Sequence, residues 1–137
     1  MKNKAQNGFT LMELVIVIAL LAIIAAILIP MFLNTTDRVR LRSDIQSARV
    51  IQNAIDLYRV ETGRTIAGNT VEAIMINLED AGYLNLRNST IQTEGARWVQ
   101  VDNIVVVNIH DSPESVRDVY ENLPDSEREL VVRTVSP

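Results

Sequence analysis

The sequence predicts an α+β protein with a long N-terminal membrane-spanning helix, whose C-terminal half packs on a small antiparallel sheet of three or four strands. Three observations predict this fold. Residues 14–29 are sixteen consecutive apolar residues. Apolar residues then recur at helical spacing between positions 41 and 58. Two strand-like segments flank Asp102-Asn103, a favourable two-residue hairpin turn.

The composition excludes several classes of protein. A chain with 47% hydrophobic and 22% charged residues is not disordered. It has no cysteine, which excludes disulfide scaffolds and thiolate metal sites, and its single histidine, His110, excludes multi-histidine metal sites. A net charge of −4 predicts no nucleic-acid partner.

Residues 9–33 form the first predicted element, an apolar helix. At 1.5 Å per residue its 25 residues extend about 37 Å, enough to cross a hydrocarbon core of about 30 Å. Lys2 and Lys4 precede it, as in a secretory signal, but the apolar run exceeds the usual 7–15 residues and no Ala-x-Ala site follows. We therefore expect a retained membrane anchor.

Glu13 interrupts this helix near its start. A carboxylate costs on the order of 2.5–3.5 kcal/mol at mid-bilayer and less near the interface. Either Glu13 lies at the headgroup level, or it has a dedicated cationic partner. Its own helix offers none, unless the chain is cut after Gly8. The α-amine of Phe9 would then lie one helical turn before Glu13, in the same chain or in another.

Residues 8–14, Gly-Phe-Thr-Leu-Met-Glu-Leu, follow a short basic leader and open an apolar helix that contains Pro30. This arrangement resembles the type IV prepilin signature of type IV pilins and type II secretion pseudopilins. The resemblance implies that prepilin peptidase removes residues 1–8 between Gly8 and Phe9, and that Phe9 is N-methylated. It also implies a structural role, with Glu13 and Phe9 setting register in a filament.

The same resemblance implies the location and the partners of the chain. It implies a single-pass protein of the cytoplasmic (inner) membrane, with the head outside the cytoplasm, and a periplasmic or extracellular filament after assembly. The partners would be the lipid bilayer, the membrane assembly platform, further copies of the chain and other pilins. Arginines follow the span at positions 38, 40, 42 and 49. The positive-inside rule alone is therefore ambiguous or favours a cytoplasmic C-terminus, and the orientation rests on the resemblance.

The helix is predicted to continue through residues 34–62. Pro30 lacks an N–H and should bend or loosen the helix. Beyond it, one stripe of residues faces a core: Leu41, Ile45, Ala48, Ile51, Ile55 and Tyr58. Off this stripe lie Asp44, Arg49, Asp56 and Arg59. Gly63 is the expected C-terminal cap, giving one helix over residues 9–62.

Residues 63–137 should form the globular α+β head. Thr70 caps a short helix that Gly82 ends, with one packed face formed by Val71, Ile74, Met75, Leu78 and Ala81. Residues 96–101 and 104–110 read as strands. In that register one sheet face holds Val99, Val101, Ile104 and Val106, and the other holds Trp98, Val105, Val107 and Ile109. Ser112-Pro113 starts a second short helix, residues 124–126 form a turn, and residues 130–135 form a last strand.

The sequence contains no Gly-rich phosphate loop, no Ser/His/Asp set and no paired catalytic carboxylates with a basic partner. We therefore expect no enzymatic activity and no cofactor. One acidic segment has two interpretations. Asp111, Glu114 and Asp118 are candidate calcium ligands by resemblance to the secretion pseudopilins, or they are acids favoured by the dipole at an ordinary helix start.

Two classes of function remain open. The first is a structural filament subunit, in which case pilus, secretion pseudopilus and DNA-uptake pilus are all compatible with the sequence. The second is a single-span membrane-anchored binding domain that does not polymerise. The mass of the mature protein discriminates between them, because loss of residues 1–8 with one added methyl group is specific to the first.

Overall fold

The computed structural model describes residues 9–133, without the side chains of residues 30–34 and 88. The chain divides into two units, Met1–Leu33 and Asn34–Pro137. The elements in chain order are α1 (Leu11–Thr62), α2 (Val71–Asp80), a 3₁₀ turn (Leu86–Asn88), β1 (Arg97–Val101), β2 (Ile104–Asn108), α3 (Glu114–Glu121), α4 (Asp125–Arg128) and β3 (Val131–Val132).

Helix α1 begins two residues later than predicted. It runs over Leu11–Thr62, and the hydroxyl of Thr10 accepts a hydrogen bond from the N–H of Glu13 at 3.2 Å. Thr10 is therefore the N-cap, which places Phe9 before the helix. The predicted end is confirmed, because Gly63 has φ +67° and its N–H donates to the carbonyl of Arg59 at 2.9 Å. The bend predicted at Pro30 involves a side chain outside the described set and stays a prediction.

The amphipathic stripe on the second part of α1 forms the core of the head. Its first five residues are 5% exposed or less, and Tyr58 packs against the core from its edge. Tyr58 meets Tyr83 edge-to-face, with ring centroids 5.3 Å apart. The helical spacing read from the sequence therefore identified the buried face of α1.

Asp44 contradicts the predicted pattern, because it is fully buried rather than off the packed face. One carboxylate oxygen accepts the N–H of Gln92 at 2.9 Å and the other accepts the N–H of Thr93 at 2.8 Å. A buried carboxylate is tolerated where strong donors satisfy it. Asp44 therefore attaches the loop before β1 to α1.

The short helix α2 follows the predicted cap. Thr70 accepts the N–H of Ala73 at 3.2 Å, and the packed face consists of Val71, Ile74, Met75 and Leu78. Ala81 is an exposed C-cap and not part of that face, because α2 ends at Asp80.

The predicted hairpin is confirmed in turn and register. Asp102 and Asn103 have φ of 48° and 70°, as a type I′ turn requires. Val99 pairs with Val106 and Trp98 pairs with Val107, so the two sheet faces are those read from the sequence. The face of Trp98 belongs to the main core. The other face leaves Val101 and Ile104 42% and 47% exposed.

The sheet has three strands in the order β1-β2-β3, but it is mixed rather than antiparallel. β3 pairs parallel to β2, through Val107 with Val131 and Asn108 with Val132. The segment between them contains two helices, because residues 124–126 do not form a simple turn but open α4. A helical crossover returns the chain to the end where it started, which makes the next strand parallel. Of the predicted last strand, residues 134 and 135 lie outside the described residues.

Candidate functional site at the start of α1

Thr10 and Glu13 form a reciprocal capping arrangement at the start of α1. The Glu13 carboxylate accepts the N–H of Thr10 at 3.0 Å and its hydroxyl at 3.1 Å, both through Oε2. The Thr10 hydroxyl in turn accepts the N–H of Glu13. Thr-x-x-Glu is the sequence pattern of a capping box, in which two helix-end donors are satisfied at once.

The capping box adds a partner that was not among the predictions for Glu13. The sequence predicts either a position at the headgroup level or a cationic partner, whereas the structure shows a contact with the hydroxyl of Thr10, three residues earlier. The signal was present in the sequence, because the motif Thr10-Leu11-Met12-Glu13 precedes an apolar run. Glu13 therefore has polar partners within its own chain before any second chain is considered.

Phe9 lies beside this box and Gly8 does not lie within the described residues. Phe9 is 85% exposed. Among the described residues, Oε1 of Glu13 accepts no hydrogen bond, since both contacts from Thr10 reach Oε2. A carboxylate accepts at both oxygens. At this site Oε2 of Glu13 accepts hydrogen bonds that stabilise the start of the helix, whereas Oε1 can accept a hydrogen bond from a further group.

The helix that carries this site is apolar on all sides. Leu11–Ile29 has a mean hydropathy of 3.1 over 19 residues, and none of it is buried by the residues that the structure describes. It is the one span among the described residues that is long and apolar enough to cross a membrane. A helix that is hydrophobic all round belongs in lipid or among other helices. Glu13 lies in the first turn of that span.

The three candidate calcium ligands, Asp111, Glu114 and Asp118, do not form one site in the structure. Asp111 forms an ion pair with Arg97 at 3.0 Å. Across the part of the chain that the structure describes, no three His, Cys, Asp or Glu side chains converge as a metal site does. Asp111, Glu114 and Asp118 are therefore not brought together, and Glu114 takes its place in the first turn of α3.

Three further charged or titratable residues noted in the sequence, Arg42, Arg49 and His110, make contacts on the surface of the head. Arg42 pairs with Glu127 of α4 at 3.1 Å, and Arg49 donates to the carbonyl of Ser126. His110 Nδ1 lies 3.2 Å from the carbonyl of Arg133, and its other nitrogen lies 4.0 Å from Asp111. These are contacts of a partly exposed surface, and none of them assembles a nucleophile with a base.

The N-terminal segment is similar to a known protein family. Residues 3–29 match the family model described as the prokaryotic N-terminal methylation motif. The type II secretion system core protein G of Aeromonas hydrophila is 28% identical over 64 residues, which cover 47% of this chain and 45% of that protein. The fimbrial protein of Neisseria meningitidis serogroup B is 34% identical over 80 residues, 58% of this chain and 47% of that protein.

A third relative is the type IV major pilin protein PilE1 of Neisseria gonorrhoeae. It is 37% identical over 68 residues, covering 50% of this chain and 41% of that protein. The chain thus spans less than half the length of these curated relatives. No solved structure matches it significantly.

Proposed function

We propose that the chain belongs to the pilins and pseudopilins and is a structural subunit of a filament, because its N-terminal segment matches the methylation motif and its relatives carry those names. The filament is a type IV pilus-like fibre or a type II secretion pseudopilus, assembled from the cytoplasmic membrane. Relatives of both kinds support the proposal, since one is named for type II secretion and another for type IV pili.

The observation that carries the proposal is the overlap of the methylation motif with an exposed apolar helix. The motif covers residues 3–29 and the span covers Leu11–Ile29. Within the described residues, none of the span is buried. A lipid bilayer covers such a surface before assembly, and neighbouring helices of the same kind cover it in a filament.

The processing step follows from the motif at its start. Prepilin peptidase cleaves between Gly8 and Phe9, and the new α-amine of Phe9 is methylated. The head, which carries the stable core, lies outside the cytoplasm in this proposal. The assembly platform and other pilins are its further partners.

Glu13 is the residue proposed to set the register between subunits. Oε2 holds the start of the helix through Thr10, which leaves Oε1 to receive the ammonium of Phe9 from its own chain or from a neighbour. An unpaired carboxylate in an apolar helix bundle is costly. A subunit that supplies the ammonium at the right height therefore fits better than one displaced along the bundle.

The experiment that tests processing replaces Gly8→Val in the full chain. A peptidase that accepts only a missing side chain before the cut should leave this precursor uncut and unassembled. Asn7→Val places the same valine side chain one residue earlier and serves as the control. Mass spectrometry of the wild type should show loss of residues 1–8 and one added methyl group. Normal processing of Gly8→Val would refute the prepilin assignment.

The experiment that tests assembly replaces Glu13→Gln. Glutamine keeps the capping box, because its amide oxygen still accepts from Thr10. Only the charge is lost, so membrane insertion should be unchanged while filament numbers fall. Thr10→Ser, which keeps both the cap and the charge, is the matched control. Normal filament counts by electron microscopy for Glu13→Gln would contradict the register role. A wild-type chain that is never processed or polymerised would instead indicate a membrane-anchored binding domain.

A further inference from the structure

Arg40 lies on the side of α1 that faces away from α4. Successive residues of an α-helix are about 100° apart, so Arg40 and Arg42 lie about 200° apart around the axis. Arg42 forms an ion pair with Glu127, which shows that α4 lies on the side of Arg42. Arg40 therefore lies on the other side of α1, nearer to Asp44 and the loop that Asp44 holds.

Arg40 is a cation without an acidic partner in the described part of the chain. It is exposed, and its side chain makes no hydrogen bond or ion pair with any other described residue. The two arginines on the α4 side differ from it. Arg42 pairs with a carboxylate at 3.1 Å, and Arg49 donates to the carbonyl of Ser126 at 3.4 Å. The charge of Arg40 therefore remains available to a second molecule.

The outer face of α4 carries two carboxylates. Asp125 and Glu129 lie two positions before and after Glu127, which places each of them about 200° around the helix from the residue that contacts α1. The side chain of Asp125 is 97% exposed and lies 3.7 Å from Arg128. Such an exposed ion pair contributes little and is easily exchanged. Glu129 is exposed, and its carboxylate contacts no other residue that the structure describes.

The cation and the two carboxylates lie at nearly the same level along α1. Arg40 precedes Arg42 by two residues, or about 3 Å along the axis, and Arg42 is in contact with α4. The head thus presents a positive charge on one side and negative charges at a similar level on the opposite side. Two copies placed side by side can bring these charges together without a large displacement along α1.

We propose that Arg40 of one copy pairs with Asp125 and Glu129 on the outer face of α4 of a neighbouring copy. The occupant of each surface is a second copy of this chain, because the two surfaces are complementary in charge and lie on opposite sides of one head. The proposal rests on the proposed function, which places copies side by side.

An interface of this kind joins two different surfaces and does not close on itself. Each copy offers Arg40 to one neighbour and the acidic face of α4 to another, and such contacts build open filaments rather than closed dimers. Charge pairs of this kind fix register more than they add affinity. A slip of one helical turn, about 5.4 Å, would separate the charges.

The test counts filaments formed by the full-length chain with single charges reversed. Arg40→Glu and Glu129→Arg should each reduce filament numbers by at least about tenfold, because each places like charges across the contact. The two substitutions together restore opposite charges and should return filament numbers to near the wild-type value. Recovery by the double variant excludes misfolding as the cause of either loss.

Arg38→Glu is the matched control. Arg38 is also exposed and makes no hydrogen bond or ion pair with another described residue, but it lies about 40° from Arg42, on the α4 side of the helix. Its reversal changes the net charge equally and should leave assembly normal. Equal losses for Arg38→Glu and Arg40→Glu, without recovery in the double variant, would indicate a general effect of charge, such as contact with anionic lipid headgroups, and would overturn the proposal.

Cysteine cross-linking tests the same contact without reversing a charge, because the natural chain has no cysteine. Arg40→Cys combined with Glu129→Cys should form disulfides between copies in assembled filaments. Cross-linking by Arg40→Cys alone would show that two Arg40 sides meet and would overturn the proposal. Cross-links between copies that never form filaments would refute the proposed function and leave this contact standing. Filaments that tolerate both Arg40→Glu and Glu129→Arg would refute the contact and leave the proposed function standing.

Discussion

Replacing Asp44→Asn should destabilise the head far more than its conservative chemistry suggests. The two carboxylate oxygens each accept a different main-chain N–H, from Gln92 at 2.9 Å and from Thr93 at 2.8 Å. Asparagine has one oxygen and one NH₂ group, so one of the two donors would face another donor. Losing one hydrogen bond to a charged group costs about 1.5–3 kcal/mol.

We therefore expect the free energy of unfolding to fall by about 2 kcal/mol for Asp44→Asn, and by more for Asp44→Ala, which leaves both donors unpaired. At about 4–8 °C per kcal/mol for a unit near 100 residues, the melting temperature of the head should fall by about 8–16 °C. Thermal unfolding of the full chain in detergent, followed by the fluorescence of the buried Trp98, measures this.

Asp56→Asn is the matched control, because its side chain is 51% exposed on the same helix. Its effect should remain within about 0.5 kcal/mol. A melting temperature for Asp44→Asn equal to that of the control would refute the claim that the carboxylate holds the loop before β1.

Three further predictions concern the head. Gly95→Ala should cost several kcal/mol by thermal unfolding, because Gly95 has φ +70° and an added Cβ would lie 2.2 Å from a carbonyl oxygen of the turn after β2; a wild-type midpoint would contradict this packing. The Tyr83 hydroxyl donates to Glu61 at 2.7 Å, and this bond, then burial and the nearby negative charge, raises the pKa of Tyr83. The resulting stability is fully present below the ordinary tyrosine pKa of about 10 and is lost as the pH rises through the higher folded value; Tyr83→Phe should flatten the decline of the melting temperature above that pH. A fragment of residues 37–137 should be soluble and folded, whereas residues 64–137, which lack the helix that covers the sheet, should melt much lower; equal midpoints would refute the packing of α1 on the sheet.

Local signals explain what the sequence predicted well. The hairpin depends on Asp102 and Asn103, which tolerate positive φ, and on alternation over a few residues. The cap of α2 depends on Thr70 alone. The buried stripe of α1 follows from helical spacing, which needs no knowledge of the partner surface.

What the sequence did not predict depends on distant parts of the chain. Asp44 is buried because a loop almost fifty residues later turns its N–H groups toward α1. β3 is parallel because α3 and α4 carry the chain back across the head, and a two-residue strand shows no direction in its composition. The capping box of Thr10 and Glu13 is the exception, since its signal was local.

Asp44 and Gln52 attach two separate parts of the head to α1. Asp44 holds the loop before β1, and Gln52 accepts the N–H of Val105 where β3 is too short to reach it. The two residues are eight positions, or about 12 Å, apart along α1. A pull along the helix axis is therefore resisted at two separate points, and sliding by one turn would break both attachments at once.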